Sequence, residues 1–178
     1  MTLLKLLFDE CLGKPHIEIL KSLVSLEAAD SRPIVEHLLS IQDQGVLDEV
    51  WVPRVAHENW ILMTSDKSRF KKGKGEPLPR LCVKHRITHV LLSPTVGQRR
   101  AFEKMLTIIS VWYRILELSK EPRGSRFMIE PIGTEDADKG TGKLAKKSFP
   151  GIVPPPPFET LPFPRLDELL PESPSSQS

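Results

Sequence analysis

The chain's 178 residues, 39% of them apolar and 27% charged, supply one core of ordinary size and exclude collagen, coiled-coil, low-complexity and wholly disordered classes. Charge is divided unevenly: residues 1–65 carry ten acids against five bases, residues 66–148 carry 19 bases against nine acids, and residues 149–178 carry four acids against one base. An acidic first part joined to a basic middle suits a protein that holds cations at one place and attracts a polyanion at another; the competing explanation is ordinary scatter of solvated charge.

The first predicted element is a strand over Leu3 to Phe8, a short apolar run that ends in Asp9 and Glu10. It falls far short of the roughly 20 residues that span a bilayer and is too short for a signal peptide. A cytoplasmic protein with no membrane contact is therefore expected. The two cysteines, Cys11 and Cys82, have no metal-ligand spacing and agree with a reducing compartment. Ile17, Leu20, Leu23 and Val24 then recur at helical spacing. Pro33 to Leu39 reads as a second strand, and Ser40 to Leu47 as loop because Gln42-Asp43-Gln44-Gly45 is a turn cluster. Leu47, Trp51 and Val55 make a helical face opened by Asp48, a residue suited to capping it, with Pro53 awkward beyond the first turns. Trp60 to Thr64 is a third strand ending near Asp66, and Thr88 to Ser93 a fourth. Thr95 to Gln98 has the form of a capping box and opens what reads as the longest helix, with Phe102, Met105, Ile109, Trp112 and Leu116 on a stripe widened by Ile108 and Ile115. That stripe is expected to pack on the sheet, and it also offers a face for a homodimer.

Phe127 to Ile129 is predicted as the last strand. Gly140-Thr141-Gly142-Lys143 lacks the upstream glycine of a phosphate-binding loop and reads as a polar turn. Alternating strands and helices predict a mostly parallel sheet with helices on both faces, since parallel strands need crossovers. Residues 1–148 form this domain. Residues 149–178 hold nine of the 17 prolines and are expected to be an extended tail, in which Phe158, Leu161, Phe163, Leu166, Leu169 and Leu170 are apolar enough to dock on the domain or on a partner.

In an open parallel sheet the functional crevice lies beyond the carboxyl ends of the strands. Asp9 and Glu10 follow the first strand, Asp66 follows the third, and Asp48 starts the helix leading into the third, so all four are placed to converge at one edge. Carboxylates brought close together raise one another's pKa unless a cation neutralises them. The natural cation for an all-oxygen site is Mg²⁺ or Mn²⁺. Each acid also has a plainer explanation: Asp48 and Asp66 as helix caps, Asp9 as a cap of the first helix, Glu10 as a solvated strand end.

Leu-Leu-Phe-Asp-Glu at 6–10, Asp48-Glu49, and Thr64-Ser65-Asp66-Lys67 after an apolar strand resemble the PIN-like domains, specifically those similar to VapC-type toxins of toxin–antitoxin pairs. The resemblance spans about residues 3 to 93. It implies a three-layer α/β/α fold, a Mg²⁺- or Mn²⁺-dependent endoribonuclease, an RNA substrate and a cognate antitoxin as partner. It carries the metal-ligating acids onto Asp9, Asp48 and Asp66, with Glu10 as ligand or water-orienting base. Many relatives have a further aspartate two residues after the last of these, where this chain has Ser68, which leaves the number of metal ions open.

Directly after Asp66 come Lys67, Arg69, Lys71, Lys72, Lys74, Arg80, Lys84 and Arg86 against Glu76 alone, with Gly73 and Gly75 between them. Beside an acidic metal site this is what RNA-backbone binding requires, with Phe70 available to stack on a base. Two other classes compete. One is a non-catalytic nucleic-acid or protein-interaction module that keeps the fold with an incomplete site. The other is a signalling receiver domain, which Ile129-Glu130-Pro131 fits poorly because it lacks the lysine expected there.

Overall fold

The computed structural model describes residues 3–28, 32–65, 76–131 and 142–147. Six strands form one sheet in the order β2-β1-β3-β4-β5-β6. They are β1 (Lys5–Phe8), β2 (Ile34–His37), β3 (Trp60–Thr64), β4 (His89–Leu92), β5 (Arg126–Pro131) and β6 (Gly142–Lys147). The first five are parallel and β6 runs antiparallel to β5. The helices are α1 (Lys14–Val24), α2 (Leu38–Ile41), α3 (Asp48–His57), α4 (Leu78–Lys84), α5 (Pro94–Gly97), α6 (Ala101–Ser110) and α7 (Trp112–Leu116), the last followed by a 3₁₀ turn, Glu117–Lys120.

The central strands are short continuous apolar runs because both of their faces are covered, and successive side chains enter opposite layers. Leu6 and Phe8 of β1, with Ile61 and Met63 of β3, pack under α1, α6 and α7 through Ile17, Leu20, Met105, Ile108 and Ile115. Leu7 and Leu62 face the other way, against Trp51, Val52 and Val55 of α3 and Leu81 and Cys82 of α4. Two separate cores on the two faces of one sheet make the expected α/β/α arrangement. No helix among the described residues is long and apolar enough to cross a membrane.

Several sequence expectations need correction. Leu23 is 44% exposed, and α1 buries Ile17, Leu20 and Val24 instead. Leu38 to Ile41, read as strand end and loop, turns into α2, capped by the His37 imidazole, whose Nδ1 accepts from Leu39 N at 3.1 Å. Leu47 is exposed and is itself the N-cap of α3, so Asp48 is the first helical residue and not the cap. Pro53 sits inside α3, where its missing N–H removes one helical bond.

The long helix predicted from Thr95 is broken into α5, α6 and α7, and α1 is the longest described helix. Ser93 caps α5 by accepting from Val96 N, and Glu103 Oε2 accepts from Arg100 N to open α6, so the capping signal at Thr95 to Gln98 is not used. The buried stripe is Met105, Ile108, Val111, Trp112 and Ile115, leaving Phe102 60% exposed. Phe127 to Ile129 is not the last strand either: Gly142 and Lys143, read as turn, begin β6. Gly142 admits close packing there, since a Cβ would stand 2.7 Å from Thr107 Cγ2.

Candidate active site

In this strand order the chain leaves β1 first toward β2 and then crosses back to β3, so β1 borders the point where the order reverses. Ligand crevices in open α/β sheets form at such a point, outside the carboxyl ends of the strands. A crevice of about 450 Å³ lies there, lined by Asp9 and Glu10 after β1, by Gln42, Asp43 and Gln44 between β2 and α3, by Asp48 and by Ser65. Leu38, Trp51 and Leu78 supply apolar lining.

Local hydrogen bonds fix the first acid. Asp9 N donates to Met63 O at 3.0 Å, extending the β1–β3 ladder by one residue, and Asp9 Oδ1 accepts from Cys11 N at 2.8 Å. The Cys11 thiol donates to the same Met63 carbonyl at 3.6 Å. Burial first, and then the Asp9 charge, push that thiol well above the ordinary range, so it stays protonated and is no nucleophile. Asp9 therefore closes its own turn instead of capping α1, whose N-cap is Gly13. Glu10, one residue on, is exposed at the crevice.

Asp48 reaches the crevice from the first turn of α3, and its Oδ1 accepts from Trp51 Nε1 at 3.1 Å. Glu49 beside it does not line the crevice. Its Oε1 accepts from Glu76 N at 2.6 Å, and hydrogen bonds from its own backbone and from Glu76 hold its carboxyl below the usual range. Asp66 and the basic residues Lys67, Arg69, Lys71, Lys72 and Lys74 lie outside the described residues. The residues flanking that segment are described: Ser65 lines the crevice, and Glu76 is bonded to the helix turn that carries Asp48.

The structure thus brings Asp9, Glu10 and Asp48 to one crevice. Besides the protonated Cys11 thiol, the polar lining is carboxylates, a hydroxyl and side-chain amides, whose oxygens are the donors that Mg²⁺ or Mn²⁺ takes, and in donor chemistry these residues fit such an ion. Among the described residues, no group of three or more His, Cys, Asp and Glu side chains is arranged to hold a metal ion.

Sequence reasoning missed three contributors. Asp43 lines the crevice, although its segment was read only as a turn; its place after the second strand was the available signal. Lys104 of α6 lies near enough to Cys11, which lines the crevice, to oppose the rise of its thiol, and Lys14 near enough to His37, next in sequence to the lining Leu38, to oppose its protonation. Nothing in the sequence spacing brings Lys104 near Cys11; the fold does so, with α6 packed against α1.

Residues 4–88 match the family model described as a PIN like domain. The matched part begins in the residue before β1, contains Asp9, Glu10, Asp48 and Asp66, and ends just before β4. PIN-like domains are commonly nucleases, and the mostly parallel α/β sheet agrees with their fold. No curated protein and no solved structure matches the chain.

Proposed function

We propose that this protein is a metal-dependent endoribonuclease acting at the crevice beside β1. The observation that carries the reading is the meeting of Asp9, Glu10 and Asp48, from two separate stretches of chain, at the reversal of strand order, inside a segment that matches a PIN like domain. Asp9, Asp48 and Asp66 would hold Mg²⁺ or Mn²⁺. Bound there, the ion supplies a water of lowered pKa and offsets the charge that develops on the phosphate.

The chain's own residues do the rest. The Met63 and Cys11 bonds hold the Asp9 carboxylate in one orientation, and the Trp51 indole does the same for Asp48. Glu10, exposed at the mouth, is placed to accept the proton of the attacking water on its carboxylate. Lys67, Arg69, Lys71, Lys72 and Lys74 follow Asp66 directly and neutralise the phosphates of a bound strand. A narrower reading, a toxin held in check by a cognate antitoxin in the cytoplasm, rests on the VapC-like motifs and predicts a partner protein that inhibits cleavage.

A second reading, a binding module without catalysis, draws on Ser68 and on the missing third ligand among the described residues. One experiment separates the two. Wild-type protein and Asp9→Asn are incubated with a panel of structured and single-stranded RNAs, with Mg²⁺, Mn²⁺ or EDTA, and cut sites are mapped. Divalent-dependent cleavage lost in the variant is expected. Salt-sensitive RNA binding with no cleavage by folded wild-type protein would favour the module.

A further inference from the structure

On one side of the sheet the helical layer leaves several large apolar side chains exposed. Along α6 and α7, Phe102, Leu106 and Tyr113 are 60%, 38% and 75% exposed at spacings of four and seven. Along α1 and just beyond it, Ile19, Leu23 and Leu26 are 47%, 44% and 83% exposed at spacings of four and three. Phe102 and Leu106 share a face of α6, Ile19 and Leu23 share a face of α1, and α1 touches α6. An apolar surface of this kind on a soluble domain marks an interaction site.

We propose that the chain's own C-terminal segment, residues 158–170, docks on this face. Three observations select it. First, β6 delivers the chain to the right end: Lys147 pairs with Arg126, the first residue of β5, and Lys146 Nζ bonds Glu121 Oε2 at 2.6 Å, directly after the 3₁₀ turn that ends α7. Second, length suffices. The ten residues 148–157, four of them the consecutive prolines Pro154 to Pro157, span up to about 35 Å. Residues 101–120 of the helical layer measure about 30 Å. Third, composition is complementary. Phe158, Leu161, Phe163, Leu166, Leu169 and Leu170 supply large apolar side chains to match those left exposed on the helices. The proposal stands apart from the nuclease reading, since the face lies on the helical layer and not on the crevice.

The test is hydrogen exchange by mass spectrometry on the full chain at two protein concentrations tenfold apart. A tethered segment experiences an effective concentration on the order of millimolar, so contact with a dissociation constant near 0.1 mM slows exchange over 158–170 by about tenfold. That slowing is expected in wild type, equal at both concentrations. It is expected to vanish in Tyr113→Asp and, independently, in the double variant Leu166→Asp, Leu169→Asp, which alters no described residue and decides the matter if the helix variant unfolds. Fast exchange of 158–170 in wild type would overturn the proposal. So would slowing that grows with concentration, which would assign the face to a second copy of the chain, or slowing that survives both variants.

Discussion

Asp9 has a structural role in the fold and a catalytic role that we propose, and one pair of substitutions can separate them. Its Oδ1 accepts from the N–H of Cys11, a residue 3% exposed, and removing that acceptor leaves a buried donor unpaired. Asp9→Ala should therefore cost about 1–3 kcal/mol. At about 2–4 °C per kcal/mol for a domain of this size, the melting temperature should fall by roughly 2–12 °C. Asp9→Asn keeps an acceptor at the same place and gives up only the charge assistance, about half of the bond, so its loss should stay within about 1 kcal/mol. For catalysis the order is different: both variants lack the carboxylate, and both should drop divalent-dependent cleavage to background. Thermal melts and cleavage assays on the same preparations check this. If Asp9→Asn melted as low as Asp9→Ala, the hydrogen bond would not be what holds the turn. If Asp9→Asn cleaved at the wild-type rate, the site would have to be elsewhere.

Burial holds the His37 imidazole below the ordinary histidine range, more strongly than the opposing hydrogen bond with the Leu12 backbone raises it. Such a group gives stability that is full above the unfolded value of about 6.5 and is lost as pH falls through the lower, folded value. His37→Asn keeps an acceptor for Leu39 N and should flatten the fall in denaturation midpoint below pH 6.5, leaving a slope from His85, which is shifted the same way by burial. Gly142→Ala drives a Cβ to 2.7 Å from Thr107 Cγ2, with Glu130 O and Ile129 Cγ2 each at 3.3 Å, and should cost about 1–3 kcal/mol. Thr107→Ser deletes that methyl and should recover part of the loss, so a double-mutant cycle by urea denaturation should give clearly favourable coupling. Lys104→Gln should lower the salt dependence of RNA binding by a slope of about 0.7, and an unchanged slope would take the RNA path away from α6.

The strands were legible where burial on both faces writes itself into composition. Trp60 to Thr64 is buried at every position, and its predicted bounds coincide with β3. β6 was not legible for the opposite reason. It is an edge strand, only partly buried, whose Lys143, Lys146 and Lys147 follow the usual charge of an edge, and its conformation comes from pairing with β5. The break between α6 and α7 falls at Val111, where the backbone turns to φ −109° and ψ 12° without glycine or proline to announce it. Phe102 was assigned to the core because it stands three residues before Met105, but in the first turn of α6 it faces solvent, 60% exposed.

That Asp9, Glu10 and Asp48 line one crevice was legible because their positions follow from topology more than from local pattern. A carboxylate after β1 can meet only what comes off the ends of the neighbouring strands, and those neighbours are β2 and β3. The β2 side delivers Asp43 and Asp48, and the β3 side delivers Ser65 with Asp66 next in sequence. Treating residues 42–45 as a turn settled their conformation and left out their address, which is why Asp43 escaped. The same reasoning sets the order in which the acids matter. Asp9 is bonded at both its backbone N–H and its side chain and Asp48 is bonded to an indole, whereas Glu10 and Asp43 are exposed. Substituting Asp9 or Asp48 should therefore abolish cleavage, while Asp43→Asn should leave measurable activity. Equal loss at Asp43 and Asp48 in metal-titrated cleavage assays would mean that side-chain fixation does not rank these acids.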